Sequence, residues 1–270
     1  MGKVIAVANQ KGGVGKTTTT INLAACLAEK GKSVLVVDMD PQGNTTSGLG
    51  VDKEKLRLSS YEMLLDEADA ASCILDLPAF RLKLIPACVD LAGAEVELIG
   101  VEKREGLLNN KLKAVRSQFD FILIDCPPSL SMLTINAFQA SDTVLVPIQC
   151  EFYALEGLSQ LMNTIKLAKR HLNQSLSVEG VVLTMYDARS RLVQNVTDEI
   201  AKFFGNKVFA TKIPRNVRLG EAPSYGLPIM LFDPRCSGSI AYKNLAEEFL
   251  MRNGDKFIPI KDLSALKYRG

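Results

Sequence analysis

The feature that most constrains the fold of this chain is a repeated alternation of short apolar runs with longer amphipathic segments. Apolar, β-branched runs predict buried strands at residues 4–8, 33–38, 82–86, 121–125, 143–148, 181–185 and 208–213. Apolar residues spaced three and four apart predict helices at residues 17–30, 59–65, 105–117, 132–140, 155–172, 192–204 and 239–252. Such an order is typical of parallel strands joined by helices, so we expect an α/β fold with a doubly wound, mostly parallel sheet of seven or eight strands.

Length and composition favour a single domain. The 270 residues, 47% of them hydrophobic, can bury a large core, and no linker rich in Pro, Gly and Ser divides them. We predict one domain over residues 1–253 and a C-terminal tail at 254–270. No apolar run reaches the roughly 18–20 residues of a membrane span and the first residues do not resemble a signal peptide, which predicts a cytoplasmic protein. Six single cysteines and one histidine, His171, argue against disulfide frameworks, zinc sites and Ser-His-Asp chemistry.

Charge is distributed unevenly along the chain. Residues 187–270 carry 14 Lys and Arg against 9 Asp and Glu, whereas residues 1–186 carry 18 against 21. The basic C-terminal part is compatible with a surface for nucleic acid or acidic lipid, although ordinary solvated helix faces have a similar composition.

A glycine-rich loop joins the first predicted strand to the first predicted helix. Residues 10–18, Gln-Lys-Gly-Gly-Val-Gly-Lys-Thr-Thr, direct backbone N–H groups and a helix N-terminus at one point, as phosphate-binding loops do. Lys16 is expected to neutralise β- and γ-phosphate oxygens, Thr17 to bind Mg²⁺ and Thr18 to reach the α-phosphate. The usual pattern G-x-x-x-x-G-K-[ST] has glycine where this chain has Gln10, and the loop contains a second lysine. The predicted nucleotide-binding residues are Lys11, Gly12, Gly13, Val14, Gly15, Lys16, Thr17 and Thr18.

Carboxylates follow two predicted strands beside this loop. Asp125 ends an apolar strand, where a carboxylate is costly in the core but favourable near Mg²⁺, so we assign it as the metal-holding acid, acting through a metal-bound water. Helix capping is disfavoured because two prolines follow it. Asp38 and Asp40 end the second strand, and a simple turn beginning at Asp40 is the alternative for that pair.

These segments resemble the ParA/MinD group of P-loop ATPases, whose deviant Walker A motif K-G-G-x-G-K-[ST] is present at residues 11–17. Segments 38–44, 122–128, 149–157, 214–218 and 222–226 are similar to signatures of the ParA/Soj partition ATPases. The first strand begins at once, without a preceding helix-turn-helix region, which is similar to the short Soj type. The resemblance implies a P-loop NTPase fold and a weak, partner-stimulated ATPase that uses ATP and Mg²⁺.

The resemblance also implies roles for individual residues. Asp40 belongs to switch I and positions the attacking water, while Asp38 lies in the outer shell of the metal. Lys11 reaches the nucleotide of a second subunit, so that ATP joins two copies in a symmetric homodimer. The adenine lies beside the backbone of Pro214 and the side-chain amide of Asn216. The implied catalytic residues are Lys11, Lys16, Asp40 and Asp125, and the implied metal-site residues are Thr17, Asp38 and Asp125.

DNA binding is the output that the resemblance implies. Arg189 and Arg218 occupy positions similar to the DNA-contacting arginines of Soj-type proteins. Such arginines contact phosphates, so binding to double-stranded DNA is expected to be non-specific and salt-dependent. A centromere-binding partner similar to ParB is expected to trigger hydrolysis and release, and the protein to be associated with the nucleoid.

Three alternatives are compatible with the loop but are disfavoured by other parts of the sequence. A membrane-positioning ATPase similar to MinD needs a C-terminal amphipathic helix, and residues 261–269 offer only two or three apolar side chains. An iron–sulfur carrier related to the nitrogenase iron protein needs facing thiolates, whereas Cys88 and Cys126 are single. A protein that binds nucleotide without hydrolysing it would lack Asp40 or Asp125, and both are present.

Overall fold

The computed structural model describes residues 2–151 and 154–254 and contains one seven-stranded sheet. Its strands are β1 Lys3–Val7, β2 Val34–Asp38, β3 Leu75–Leu77, β4 Leu82–Ile85, β5 Phe121–Asp125, β6 Thr143–Gln149 and β7 Ser177–Thr184. The spatial order is β3-β4-β2-β5-β1-β6-β7, with β3 antiparallel to β4 and every other pair parallel. The predicted doubly wound, mostly parallel sheet is confirmed.

Helices cover both faces of the sheet. Within the described ranges they are α1 Lys16–Glu29, α2 Asn44–Gly48, α3 Ser60–Leu64, α4 Leu91–Glu97, α5 Leu107–Lys113, α6 Met132–Ala140, α7 Ala154–His171, α8 Arg191–Phe204, α9 Val217–Glu221, α10 Ile229–Phe232 and α11 Ser237–Arg252. Alternate residues of β1 serve two cores: Val4 and Ala6 pack in the one that includes α5 to α8, and Ile5 and Val7 in the one that includes α1 and α11. The central strands are therefore apolar on both faces.

One predicted strand is wrong. Residues 208–213 run beside β7 and are joined to it by single bonds, such as Phe209 N to the carbonyl of Val181 at 2.9 Å. The amides of Ala210 and Thr211 donate instead to the carboxylate of Glu248 on α11, both at 2.8 Å. Because that side chain takes the donors that a strand ladder would use, no regular strand forms.

Two further local predictions need correction. The helix predicted at 105–117 is shorter, since α5 is flanked by 3₁₀ turns at Arg104–Gly106 and Arg116–Gln118. The apolar spacing continues through these turns, so the sequence does not distinguish them from α-helix. The three-residue edge strand β3 was not predicted, because a Leu-Asp-Leu alternation is too short to stand out.

The fold brings the predicted site together at one edge of the sheet. Asp38 and Asp125 are register partners on neighbouring strands, and Val7, the last residue of β1, is the register partner of Asp125 on its other side. The carboxyl ends of these parallel strands form the edge where ligands bind in such sheets. No helix in the described part of the chain has the length and apolar character to span a bilayer. The predicted tail lies, apart from Gly254, outside the described residues, as do Phe152 and Tyr153.

Candidate functional site

The glycine-rich loop turns sharply between β1 and α1. Gly13 and Gly15 have φ values of +74° and +88°, in the left-handed region that L-residues with side chains rarely adopt. A Cβ built on Gly12 or Gly13 would meet no atom within 4 Å, so the backbone there faces open space. The carbonyl of Val14 is fixed from behind by the Thr184 hydroxyl at 2.8 Å. The loop thus exposes N–H groups to a ligand while its other side is held against β7.

Lys16 lies at the start of α1 and beside a cavity of about 450 Å³. The residue is 7% exposed, and its Nζ donates to the carbonyl of Lys11 at 3.1 Å. Burial lowers the pKa of Lys16, and the nearby charge of Asp125 opposes that shift. A partly desolvated ammonium aimed across this loop is suited to phosphate oxygens. The cavity is lined by Gly12, Gly13, Gly15, Lys16, Thr17, Thr18, Asp40, Gln42, Asn44, Ser47, Pro128, Met185 and Pro223.

Asp125 is fully buried and collects three threonine hydroxyls. Its Oδ2 accepts from Thr17 Oγ1 at 2.8 Å and from Thr45 Oγ1 at 2.7 Å, and its Oδ1 accepts from Thr20 Oγ1 at 3.3 Å. Burial raises the pKa of Asp125, while the hydroxyls of Thr45 and Thr17 lower it. The predicted Thr17 and Asp125 pair is therefore brought into contact, with Thr45 as a third member.

Asp38 has a different environment from Asp125. Its Oδ2 accepts from the backbone N and the hydroxyl of Thr46, at 2.9 and 2.7 Å, and its Oδ1 accepts from Asp40 N at 3.2 Å. Burial and the neighbouring charge of Asp125 raise the pKa of Asp38. Asp40 lines the cavity and accepts from Gln42 N at 2.9 Å. Asp40 thus faces the cavity, whereas Asp38 holds α2 in place.

Lys11 points away from the cavity beside its own loop. Its Nζ forms an ion pair with Oε1 of Glu151, and both side chains are 37% exposed. The backbone N–H of Lys11 donates a hydrogen bond to Asn9 Oδ1 at 3.1 Å. The two lysines of the loop therefore have separate positions, one at the cavity and one at the surface.

A second cavity, of about 250 Å³, adjoins the loop at Gly15 and Thr18 and is also lined by Pro214 and Asn216. The amide of Asn216 is engaged within the chain: its Oδ1 caps α9 through Arg218 N, and its Nδ2 donates to Ser237 Oγ, both at 2.8 Å. Pro214 and Asn216, the residues predicted for adenine, therefore line the same cavity. To contact an adenine there, the side-chain Nδ2 of Asn216 must first release its hydrogen bond to Ser237.

The two arginines predicted for DNA lie on neighbouring segments at the β7 edge, Arg189 in the loop after β7 and Arg218 in the first turn of α9. Tyr186 and Pro214 form an isolated bridge that places the loop after β7 beside the segment leading to α9. The side chains of Arg189 and Arg218 are 90% and 52% exposed. Each is paired with an acid, Arg189 with Asp187 and Arg218 with Glu221 and Asp233. Exposed pairs of this kind are weak, so phosphate groups can replace the carboxylates.

Sequence reasoning assigned no role to Thr45, Thr46 or Glu151. The two threonines each hold one buried carboxylate, and their signal in the sequence is their place directly after segment 38–44. Glu151 lies within segment 149–157, but only the fold shows that it meets Lys11.

Comparisons with known proteins agree with this site. A family profile described as "AAA domain" matches residues 2–178. The chain is 56% identical over 248 residues to the sporulation initiation inhibitor protein Soj of Bacillus subtilis, covering 92% of this chain and 98% of that protein. It is 48% identical over 256 residues to the chromosome partitioning protein ParA of Caulobacter vibrioides, covering 94% and 96%.

A solved structure gives the same picture of the fold. Cobyrinic acid a,c-diamide synthase from Mycobacterium smegmatis, crystallised with an ATP analog and magnesium, superposes with a TM-score of 0.83 at 37% identity, covering 95% of this chain and 97% of that one. The sequence identity to the two relatives, 56% and 48%, is higher than the 37% to that structure. The chain therefore belongs to the Soj/ParA family of chromosome-partitioning ATPases.

Proposed function

We propose that this protein is an ATP-dependent switch for partitioning a chromosome or plasmid. ATP binding drives a symmetric dimer that binds DNA non-specifically, and hydrolysis stimulated by a ParB-like partner releases it. The observation that carries this proposal is the separation of the two loop lysines. Lys16 lies at the cavity beside the loop, and Lys11 lies at the surface, where its amine would exchange the ion pair with Glu151 for the nucleotide of a second copy.

The residues at the first cavity fit a nucleoside triphosphate with Mg²⁺. In the described residues no group of three or more His, Cys, Asp and Glu side chains is arranged to hold a metal alone. Mg²⁺ typically binds through one or two protein oxygens together with phosphates and waters, and Thr17 and Asp125 supply such a set. The bound metal would neutralise charge on the β- and γ-phosphates.

The chain's own groups then have distinct tasks in hydrolysis. Lys16 and the N–H groups of residues 12–18 bind the phosphates, while Asp125 keeps the Thr17 hydroxyl oriented. Asp40, fixed by Gln42 N at the cavity wall, orients the attacking water; orientation matters more than basicity when the transition state is loose. The adenine would occupy the second cavity, beside Pro214 and Asn216.

Dimer formation joins two copies of the basic β7 edge. In a two-fold symmetric dimer, Lys11 of each copy contacts the nucleotide bound to the other copy. Each copy also contributes Arg189 and Arg218 to one shared surface. Ion pairs to Asp187 and Glu221 are exchanged for contacts to DNA phosphates, which carry no sequence information. Loss of the γ-phosphate removes the ligand of Lys11 and so favours separation.

The test is DNA co-sedimentation with ATP, with ADP and without nucleotide, each at two salt concentrations. We expect retention on DNA only with ATP, and weaker retention at the higher salt. Equal retention with and without nucleotide would refute the switch. Retention by anionic liposomes instead of DNA would favour the MinD-like alternative.

A further inference from the structure

One edge of the sheet is strongly acidic. Residues 59–102, which include α3, β3, β4 and α4, carry nine Asp and Glu against two basic residues, Arg81 and Lys83. This region is the β3–β4 edge of the sheet, opposite the β7 edge that carries Arg189. The proposed DNA surface and the acidic edge are therefore separate, and the acidic edge repels nucleic acid and acidic lipid.

An apolar stripe lies on the outer face of the acidic edge. Val89, Val96 and Ile99 are 73%, 68% and 66% exposed, among the most exposed large apolar residues of the described chain. Their spacing, with Ala92 and Gly93 between them, follows one side of α4 and its flanking turns. The opposite side of the same segment packs into the core through Leu91, Ala94 and Leu98. The segment is therefore apolar on two sides, and only one of them is covered.

Carboxylates border this stripe on both sides. At about 100° per residue along α4 and its N-cap, Asp90 and Glu97 fall on one side of it and Glu95 on the other, and Glu102 follows the stripe two residues after the last turn. Residues 89–102 contain no Lys or Arg. Two basic residues follow the segment: Lys103, which comes directly after Glu102, and Arg104, whose guanidinium is directed to the carbonyls of Leu98 and Ile99.

We propose that this acidic-rimmed stripe, residues 89–102, docks a basic amphipathic segment of a partner protein. Apolar side chains of that segment would cover Val89, Val96 and Ile99, and its Lys or Arg side chains would meet the rim carboxylates. A two-fold contact between copies would instead bring like carboxylates together, which disfavours a second copy as the occupant.

The surface is linked to the nucleotide site by a short chain of hydrogen bonds. Thr46 Oγ1 donates to Asp38 Oδ2 at 2.7 Å and accepts from Ala87 N at 2.9 Å, two residues before Val89. A partner bound to residues 89–102 therefore contacts the chain directly after Ala87, which Thr46 of α2 connects to Asp38. This link gives the docking surface a route to the site that differs from the proposed dimer face.

A peptide titration tests the surface. The probe is a fluorescently labelled helical peptide built only of Leu and Lys at amphipathic spacing, and the same peptide with Glu for Lys is the negative probe. We expect the full-length protein to raise the anisotropy of the Lys peptide only, with binding that weakens as salt is added. The measurement needs neither ATP nor DNA, so its failure would leave the proposed function standing.

Two double variants and two matched controls decide whether residues 89–102 are the site. Val96→Asp with Ile99→Asp, and separately Glu95→Lys with Glu102→Lys, should each weaken binding at least about tenfold. Leu167→Asp and Asp198→Lys, which change exposed groups of the same chemical types on α7 and α8, should leave it unchanged. Unchanged binding by both double variants overturns the proposal. So does loss of the ATP-dependent dimer in Val96→Asp with Ile99→Asp while peptide binding persists, because the stripe would then be a contact between copies.

Discussion

The hydroxyl of Thr45 lies 2.7 Å from Oδ2 of Asp125, the same oxygen that accepts the hydroxyl of Thr17 at 2.8 Å. Thr45 belongs to α2, five residues after Asp40, whereas Thr17 belongs to the first turn of α1, directly after the glycine-rich loop. One buried carboxylate oxygen therefore joins the loop that binds phosphate to the segment that carries Asp40. We therefore predict that Thr45 positions Asp125, the acid proposed to hold Mg²⁺.

Replacing Thr45 separates the role of its hydroxyl from the role of its shape. Thr45→Val keeps the volume but removes a hydrogen bond to a charged group, worth about 1.5–3 kcal/mol, so ATP hydrolysis should fall about tenfold or more. The Mg²⁺ concentration for half-maximal activity should rise, while Thr45→Ser should keep both values near those of the parent. Equal Mg²⁺ dependence in the Val and Ser variants would contradict the positioning role.

Asp125→Asn should stabilise the chain in the absence of Mg²⁺. Burial raises the pKa of Asp125 above its unfolded value, so the folded state carries an unfavourable charge at any pH above that raised pKa. The amide can keep the bonds from Thr17 and Thr45, and relief of the charge should add about 1–3 kcal/mol to the free energy of unfolding near pH 8. The gain should shrink as the pH falls below the raised pKa of about 6 and vanish below the unfolded pKa of about 3.9, where the parent carboxyl is protonated in both states.

Urea unfolding in EDTA at several pH values measures this difference. Asp198→Asn, at an exposed position on α8, is the control and should change stability little at any pH. A gain for Asp125→Asn that stays constant with pH would show that the charge is not its cause. Hydrolysis by Asp125→Asn should be lost under all of these conditions.

Replacing each of the two loop lysines with alanine should impair a different step, ATP binding for Lys16 and dimerisation for Lys11. Lys16→Ala removes the ammonium at the cavity and should abolish ATP binding, because the β- and γ-phosphate charge is no longer neutralised. Lys11→Ala should still bind ATP but sediment as a monomer, since its amine is directed away from that cavity. Labelled-nucleotide binding and sedimentation velocity distinguish the two. A Lys11→Ala dimer of normal affinity would remove the basis for a shared nucleotide.

Charge reversal at the β7 edge should separate DNA binding from dimerisation. Arg189→Glu with Arg218→Glu places two acids beside Asp187 and Glu221, so the double variant should lose DNA retention while its ATP-dependent dimer mass is unchanged. As a control, the variant Lys55→Glu reverses one exposed basic residue away from this edge and should still bind DNA. DNA retention by the double variant would exclude these arginines as the contact.

Sequence alone determined the elements that depend on local pattern. Apolar runs of four or more residues predicted six of the seven strands, because strands buried on both faces are apolar at every position. Motif chemistry predicted that Thr17 and Asp125 share a site, since a strand, a glycine-rich loop and a helix fix where a phosphate can bind. The strand predicted at 208–213 is wrong because local pattern does not show tertiary contacts. That run is apolar like a strand, but the amides of Ala210 and Thr211 donate to Glu248.

Tertiary structure decided what depends on residues distant in the chain. Thr45 meets Asp125 across 80 positions and Lys11 meets Glu151 across 140, so no spacing rule relates them. The exposed stripe of α4 could not be predicted either, because the sequence does not show whether an apolar residue faces the core or the solvent. Local pattern thus fixes which segments become strands and loops, whereas the partners of their polar groups are set only when the sheet brings their ends to one edge.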